Sequence, residues 1–291
     1  MPILYREFTQ QDELDYQYDP VRSVSDPSVF FKFFVEESAK ARADLECHLD
    51  VRFGPTVEEH VDVFPAKDPD APILVFIHGG YWRQLSSKEF SLVARGPVAL
   101  GMTVVVSNYA LCPKVTLPEI TRQSRAAISW LYRGDHKVPG NRKRIFVVGH
   151  SAGGHQTARV LGTKWEEDYG LPADVVKGGF AISGLFDLRP LRYSFLQPMV
   201  QFTEDIVRSE SPLFNISAKS PPMIASVGGD ESSEFKRQST DYLAALKAAG
   251  LRGEYQEQPG KNHFNAIEGF IDKNSALCKQ VQAFMKDCEK G

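Results

Sequence analysis

The pentapeptide Gly149-His150-Ser151-Ala152-Gly153 sets a serine between glycines, directly after an apolar run and directly before a helix-compatible stretch. In that context the serine sits on a sharp strand-to-helix turn. The turn strains its backbone and lifts its hydroxyl above the sheet. The helix N-terminus adds positive potential where negative charge would develop. Ser151 is therefore the candidate nucleophile. The competing readings are an ordinary turn serine and a phosphate-binding loop.

A nucleophilic hydroxyl needs a base, and the chain offers seven histidines. His150 is expected to leave the turn on the side opposite the hydroxyl and pack beneath it. His155, one helical turn further on, could line a pocket but is poorly placed to reach the hydroxyl. His48 and His60 fall in or beside an early hairpin, His136 in a polar loop, and His78 in a second motif. His263 remains, in Gly260-Lys261-Asn262-His263-Phe264, between a strand-like segment and the last helix. It is the candidate base. The orienting carboxylate is expected at Asp230, just past the apolar run 223–227, in Gly228-Gly229-Asp230-Glu231. That places it on the same sheet edge as Ser151, and gives the chain order serine, acid, histidine of a strand–turn–helix nucleophile site. Glu231 is its nearest rival and Asp187 a weaker one.

Acyl transfer also creates an oxyanion, and losing one donor to it costs roughly 3–4 kcal/mol of barrier. His78-Gly79-Gly80-Tyr81-Trp82 follows the apolar run 73–77. The N–H groups of Gly79 and Gly80 can approach closely because no Cβ intervenes. The N–H of Ala152, next to the nucleophile, joins them. Tyr81 and Trp82 are expected beside this site as substrate-binding residues, although core packing would suit both.

These residues need a scaffold that brings distant segments to one edge. Apolar runs at 73–77, 102–106, 145–148, 179–182 and 223–227 lack alternation, as strands covered on both faces do. Helical patterns over 117–131, 235–249 and 267–285 lie between or after them; Asn274 is the only polar residue on the face of the last. A helix is expected over 28–45, and a hairpin over 51–63 turning near Gly54-Pro55. The reading is α/β, a mostly parallel doubly wound sheet preceded by an antiparallel hairpin. A single domain is expected over 1–291. Residues 188–222, rich in proline and aromatics, are expected to form a cap or lid.

The bulk properties fit this enzyme-like reading. The chain has 291 residues and a net charge of −3, from 34 basic and 37 acidic side chains. No positive excess points to nucleic acid or an anionic membrane. No apolar run approaches the ~20 residues of a membrane span. Neither a secretory signal nor a transit peptide is read at the N-terminus, so a cytoplasmic location is expected. Cys47, Cys112, Cys278 and Cys288 show no CxxC spacing, so neither a metal nor a cofactor is expected. Both a monomer and a homodimer are compatible with the sequence.

Taken together, HGG after an early strand, GHSAGG, GGDES and KNHF resemble the hormone-sensitive-lipase-like branch of the α/β-hydrolase family. Within it, HGGYW and the whole length resemble the kynurenine formamidases. The lipase-like esterases usually carry a third glycine where this chain has Tyr81. The resemblance implies hydrolysis of N-formyl-L-kynurenine to L-kynurenine and formate by a serine mechanism without a metal. Ser151, Asp230 and His263 would be catalytic, with Gly79, Gly80 and Ala152 around the oxyanion. An esterase of small acyl esters and a non-catalytic binding protein on the same fold are the alternatives.

Overall fold

The computed structural model describes residues 3–134 and 138–290; His136 lies outside the described residues. Eight strands form one sheet: β1 (His48–Arg52), β2 (His60–Phe64), β3 (Pro72–Ile77), β4 (Thr103–Ser107), β5 (Asn141–His150), β6 (Val176–Ile182), β7 (Met223–Gly228) and β8 (Gly253–Gln258). Their order is β1-β2-β4-β3-β5-β6-β7-β8. β1 and β2 form the antiparallel hairpin, and β2 also runs antiparallel to β4. Every later pairing is parallel.

The unbroken apolar runs reflect two cores. Ile73, Val75 and Ile77 of β3 face one side with Val105 and Val147. Leu74 and Phe76 face the other with Val104, Val106, Phe146 and Val148. Helices Leu117–Arg133, Ala152–Leu161 and Ser233–Ala248 cover the first face. Helices Ser28–Asp44 and Ala276–Cys288 contribute Phe34, Leu277 and Val281 to the second.

One sequence expectation needs correction. The continuous helix over 267–285 is two elements, a 3₁₀ segment at Asn265–Ile271 and the helix Ala276–Cys288. Between them the Asp272 carboxylate accepts the Asn274 N–H at 2.9 Å, and Ser275 caps the helix by accepting the Cys278 N–H at 3.1 Å. Short polar side chains that bond locally compete with helix and favour its start. The lone polar residue on the apolar face, Asn274, marks this break and is exposed.

Candidate active site

Ser151 follows the last residue of β5 and precedes helix Ala152–Leu161, with φ +57° and ψ −118°. A positive φ is rare for a serine and signals a backbone held by its surroundings. Two bonds hold it: the Ser151 N–H donates to Ile182 O at 2.8 Å, and its carbonyl accepts the His155 N–H at 3.0 Å. Gly153 lets the helix approach the sheet, since a Cβ there would lie 1.9 Å from Ile77 O.

Glu231, and not Asp230, meets the candidate base. Glu231 Oε2 lies 2.6 Å from His263 Nδ1, both side chains buried. Its other oxygen accepts the Gly228 N–H at 2.7 Å and the Ser183 hydroxyl at 2.5 Å. Turn geometry explains the exchange. The chain reverses after β7, with the Glu231 N–H on Gly228 O at 3.1 Å. Asp230 occupies the exposed tip, its N–H on Lys261 O, while the next side chain returns beneath the strand end. Asp187 is engaged elsewhere, with Arg189 and the Tyr5 hydroxyl.

His263 is also fixed through its backbone. His150 Nε2 lies 2.7 Å from His263 O, and the two rings are 4.9 Å apart. His150 thus packs against the candidate base and lines its cavity. His155 turns away, with Nε2 on Glu210 O at 2.8 Å. Burial depresses the pKa of His150 and His155 to about 3 each.

The glycine loop after β3 has its carbonyls tied down on one side. Tyr109 stacks on His78 with centroids 4.0 Å apart, and its hydroxyl lies 2.9 Å from His78 O and 3.3 Å from Gly79 O. His78 Nδ1 also meets Gly79 O at 2.7 Å. In a planar trans peptide the N–H points opposite the carbonyl. The Gly79 and Gly80 N–H groups are therefore directed away from Tyr109. A Cβ on Gly79 would lie 3.2 Å from Ser151 Cβ, so the loop runs alongside the candidate nucleophile. Ala152 is buried at the first helical position, where an N–H has no intrahelical acceptor. Burial lowers the His78 pKa to about 4.

Ser151, His263, Gly79, Gly80 and Tyr81 line one cavity. Trp82 does not join them. It is fully buried, edge-on to His155 and Phe202, and belongs to the core beneath the loop. Its expected role in substrate binding is therefore corrected to support of the loop. The Tyr81 hydroxyl donates to Tyr18 O. Of residues 188–222, Phe195 lines the cavity. Its N–H donates to Asp15 at 2.7 Å, which pins the segment to the N-terminal helix Gln11–Tyr18. Further along, buried Glu210 pairs with Arg159 at 3.2 Å and accepts the Thr121 hydroxyl.

Residues 74–266 match the family described as alpha/beta hydrolase fold. The chain belongs to the α/β-hydrolase family. This hydrolase is 30% identical to the kynurenine formamidase of Danio rerio, over 92% of its own length and 94% of the relative's. It is 28% identical to Esterase LipC of Mycobacterium tuberculosis, over 75% and 60% of the two chains. Among solved structures, a protein from Silicibacter sp. tm1040, provisionally described as a thioesterase, superposes with a TM-score of 0.82. The two are 26% identical, and the match covers 93% of this hydrolase and 99% of that chain. No helix among the described residues is long and apolar enough to cross a membrane.

Several residues in or beside the candidate site escaped the sequence reading. Tyr109 lies beyond β4, with no motif linking it to the glycine loop. Ser183 follows β6 and reaches Glu231 only through strand pairing. Asp19, Pro20 and Val21 bring the N-terminal segment to the cavity wall, and nothing local in their sequence points to a site.

Proposed function

We propose that this hydrolase cleaves the formamide bond of N-formyl-L-kynurenine, with Ser151 as nucleophile. The observation that carries the mechanism is the 2.6 Å contact between Glu231 and Nδ1 of His263, a residue that lines the same cavity as Ser151. With Nδ1–H donated to the carboxylate, Nε2 is the basic nitrogen of the ring. His263 Nε2 takes the Ser151 proton as Oγ bonds to the formyl carbon. The carbonyl oxygen becomes an oxyanion facing the N–H groups of Gly79, Gly80 and Ala152. His263 then returns the proton to the aryl nitrogen as the C–N bond breaks, releasing L-kynurenine. Water, deprotonated by His263, attacks the formyl-serine and frees formate. Glu231 stabilises the imidazolium in both halves.

Support for the substrate comes from the formamidase relative and from Tyr81, a bulky side chain that lines the cavity beside Gly79 and Gly80. The similarity to Esterase LipC and to the Silicibacter protein favours a second reading, hydrolysis of small acyl esters by the same residues. Comparing kcat/KM for N-formyl-L-kynurenine and p-nitrophenyl acetate separates the two. A strong preference for the ester would replace the first reading by the second. Ser151→Ala is expected to lower kcat about 10⁴–10⁶-fold on either substrate. Undiminished turnover in that variant would overturn the mechanism.

A further inference from the structure

The cavity that holds Ser151 carries two opposite charges that no step above uses. Arg83 lines it, four residues past Gly79, and Asp19 lines it from the N-terminal segment. The Arg83 guanidinium lies over the Phe195 ring at 5.6 Å from its centroid. Its Nε is buried without a hydrogen-bond partner. Among the described residues no carboxylate pairs with Arg83 within 4.0 Å, in a chain where most arginines have one. A buried, unpaired donor on a permanently charged side chain is costly unless a ligand satisfies it.

Much of the rest of the lining is aromatic, including Phe31, Phe34, Phe90 and Phe264. Such a wall suits an aryl group. Ser151 is 3% exposed, whereas Arg83 and Asp19 are both partly exposed. The reacting carbonyl therefore belongs on the floor of the cavity and the charged groups nearer its mouth. One oxygen of Asp19 accepts the Val21 N–H at 3.1 Å, and Arg22 Nε lies 3.6 Å from the other. A carboxylate has about four acceptor sites, so it can still take an ammonium.

We infer that Arg83 binds the carboxylate, and Asp19 the ammonium, of an α-amino-acid head on an aryl substrate. This rests on the formamidase reading for its substrate but names the residues that select it. The guanidinium fork can hold a carboxylate through two parallel N–H···O bonds, which an ester lacking that group cannot use.

Calorimetric binding of L-kynurenine and of kynuramine, which lacks the carboxylate, tests the assignment without any bond cleavage. The intact chain is expected to bind L-kynurenine at least about 10-fold more tightly than kynuramine. Arg83→Met should weaken L-kynurenine about 10–100-fold, the loss of one charge-assisted pair, and kynuramine far less. Arg83→Lys should recover part of the loss. Asp19→Asn, whose amide oxygen can keep the Val21 bond, should weaken both ligands because both carry an ammonium. With N-formyl-L-kynurenine as substrate, Arg83→Met should raise KM far more than it lowers kcat. Equal weakening of both ligands by Arg83→Met, or no binding of L-kynurenine to the intact chain, overturns the assignment. Tight, Arg83-dependent binding of L-kynurenine without turnover of N-formyl-L-kynurenine would uphold the assignment and refute the formamidase reading alone.

Discussion

Glu231→Gln is the sharpest test of which acid orients His263. The carboxylate has an asymmetric set of partners. Oε1 accepts the Gly228 N–H and the Ser183 hydroxyl, while Oε2 faces His263 Nδ1. A glutamine fits the same space but must choose an orientation. Its oxygen belongs where two donors point, since an NH₂ there would face the fixed Gly228 N–H. Its NH₂ then faces Nδ1 and forces that nitrogen to accept. The ring proton moves to Nε2, and the ring can no longer take a proton from Ser151. An orienting acid replaced by its amide typically costs about 10⁴-fold in kcat with geometry intact. That is about 5.4 kcal/mol at 1.36 kcal/mol per decade. Asp230→Asn changes an exposed side chain at the turn tip and is expected to alter kcat by less than about 2-fold.

The assay is steady-state hydrolysis of p-nitrophenyl acetate and N-formyl-L-kynurenine by both variants, with thermal unfolding to confirm that each is folded. A folded Glu231→Gln protein with near-normal kcat would refute the tautomer argument. An Asp230→Asn protein that loses 10³-fold or more would show that the acid works from the turn tip.

Two further expectations concern the scaffold. Gly153→Ala would put a Cβ 1.9 Å from Ile77 O and 2.7 Å from His78 O, both backbone atoms, so β3 or the helix must shift. A loss of about 3 kcal/mol is expected in urea unfolding, and a loss under about 1 kcal/mol would contradict the tight approach. His78, His150 and His155 are buried and neutral, with pKa values lowered by desolvation to about 4, 3 and 3. The unfolded chain takes up these protons near pH 6.5 while the native one does not. Their contribution is therefore complete above pH 6.5 and is lost as pH falls through about 4 for His78 and about 3 for His150 and His155. The slope is up to about 1.4 kcal/mol per pH unit for each histidine. Urea unfolding at pH 7, 6 and 5 checks this; stability that stays level or rises on acidification would refute it.

The sheet was legible because strands buried on both faces need apolar residues at every position, so β3, β4 and β7 stood out at nearly their true limits. The strand-to-helix turn at Ser151 was legible because a strained turn and a close helix approach restrict residue types to serine between glycines. The acid was not. Asp230 and Glu231 are adjacent acids after one strand, and composition cannot say which side chain a turn returns to the interior. Nor could Tyr109 be assigned to His78, or Asp19 to the cavity that Arg83 lines, since long-range contacts leave no local pattern. Trp82 misled because a tryptophan beside a glycine loop suits a pocket wall and a core equally well. Its burial is set by Phe202 and His155, far away in sequence.

Tyr81 makes contacts that a glycine at this position would lack. Gly80, Tyr81 and Trp82 all have positive φ, at +106°, +49° and +58°. For the two non-glycine residues that conformation costs about 1–2 kcal/mol each. A glycine at 81 would remove one such cost, but it would also remove an anchor. The Tyr81 hydroxyl bonds Tyr18 O, its ring meets Phe195 at 6.0 Å, and the Trp82 carbonyl accepts the Cys112 N–H at 2.8 Å. These contacts offset the strain, and they tie the loop carrying Gly79 and Gly80 to the N-terminal segment and to residues 188–222. Those two segments also supply Asp19 and Phe195 to the cavity. The tyrosine therefore joins the placement of Gly79 and Gly80 to the placement of the cavity wall. A third glycine would leave the two to be positioned independently.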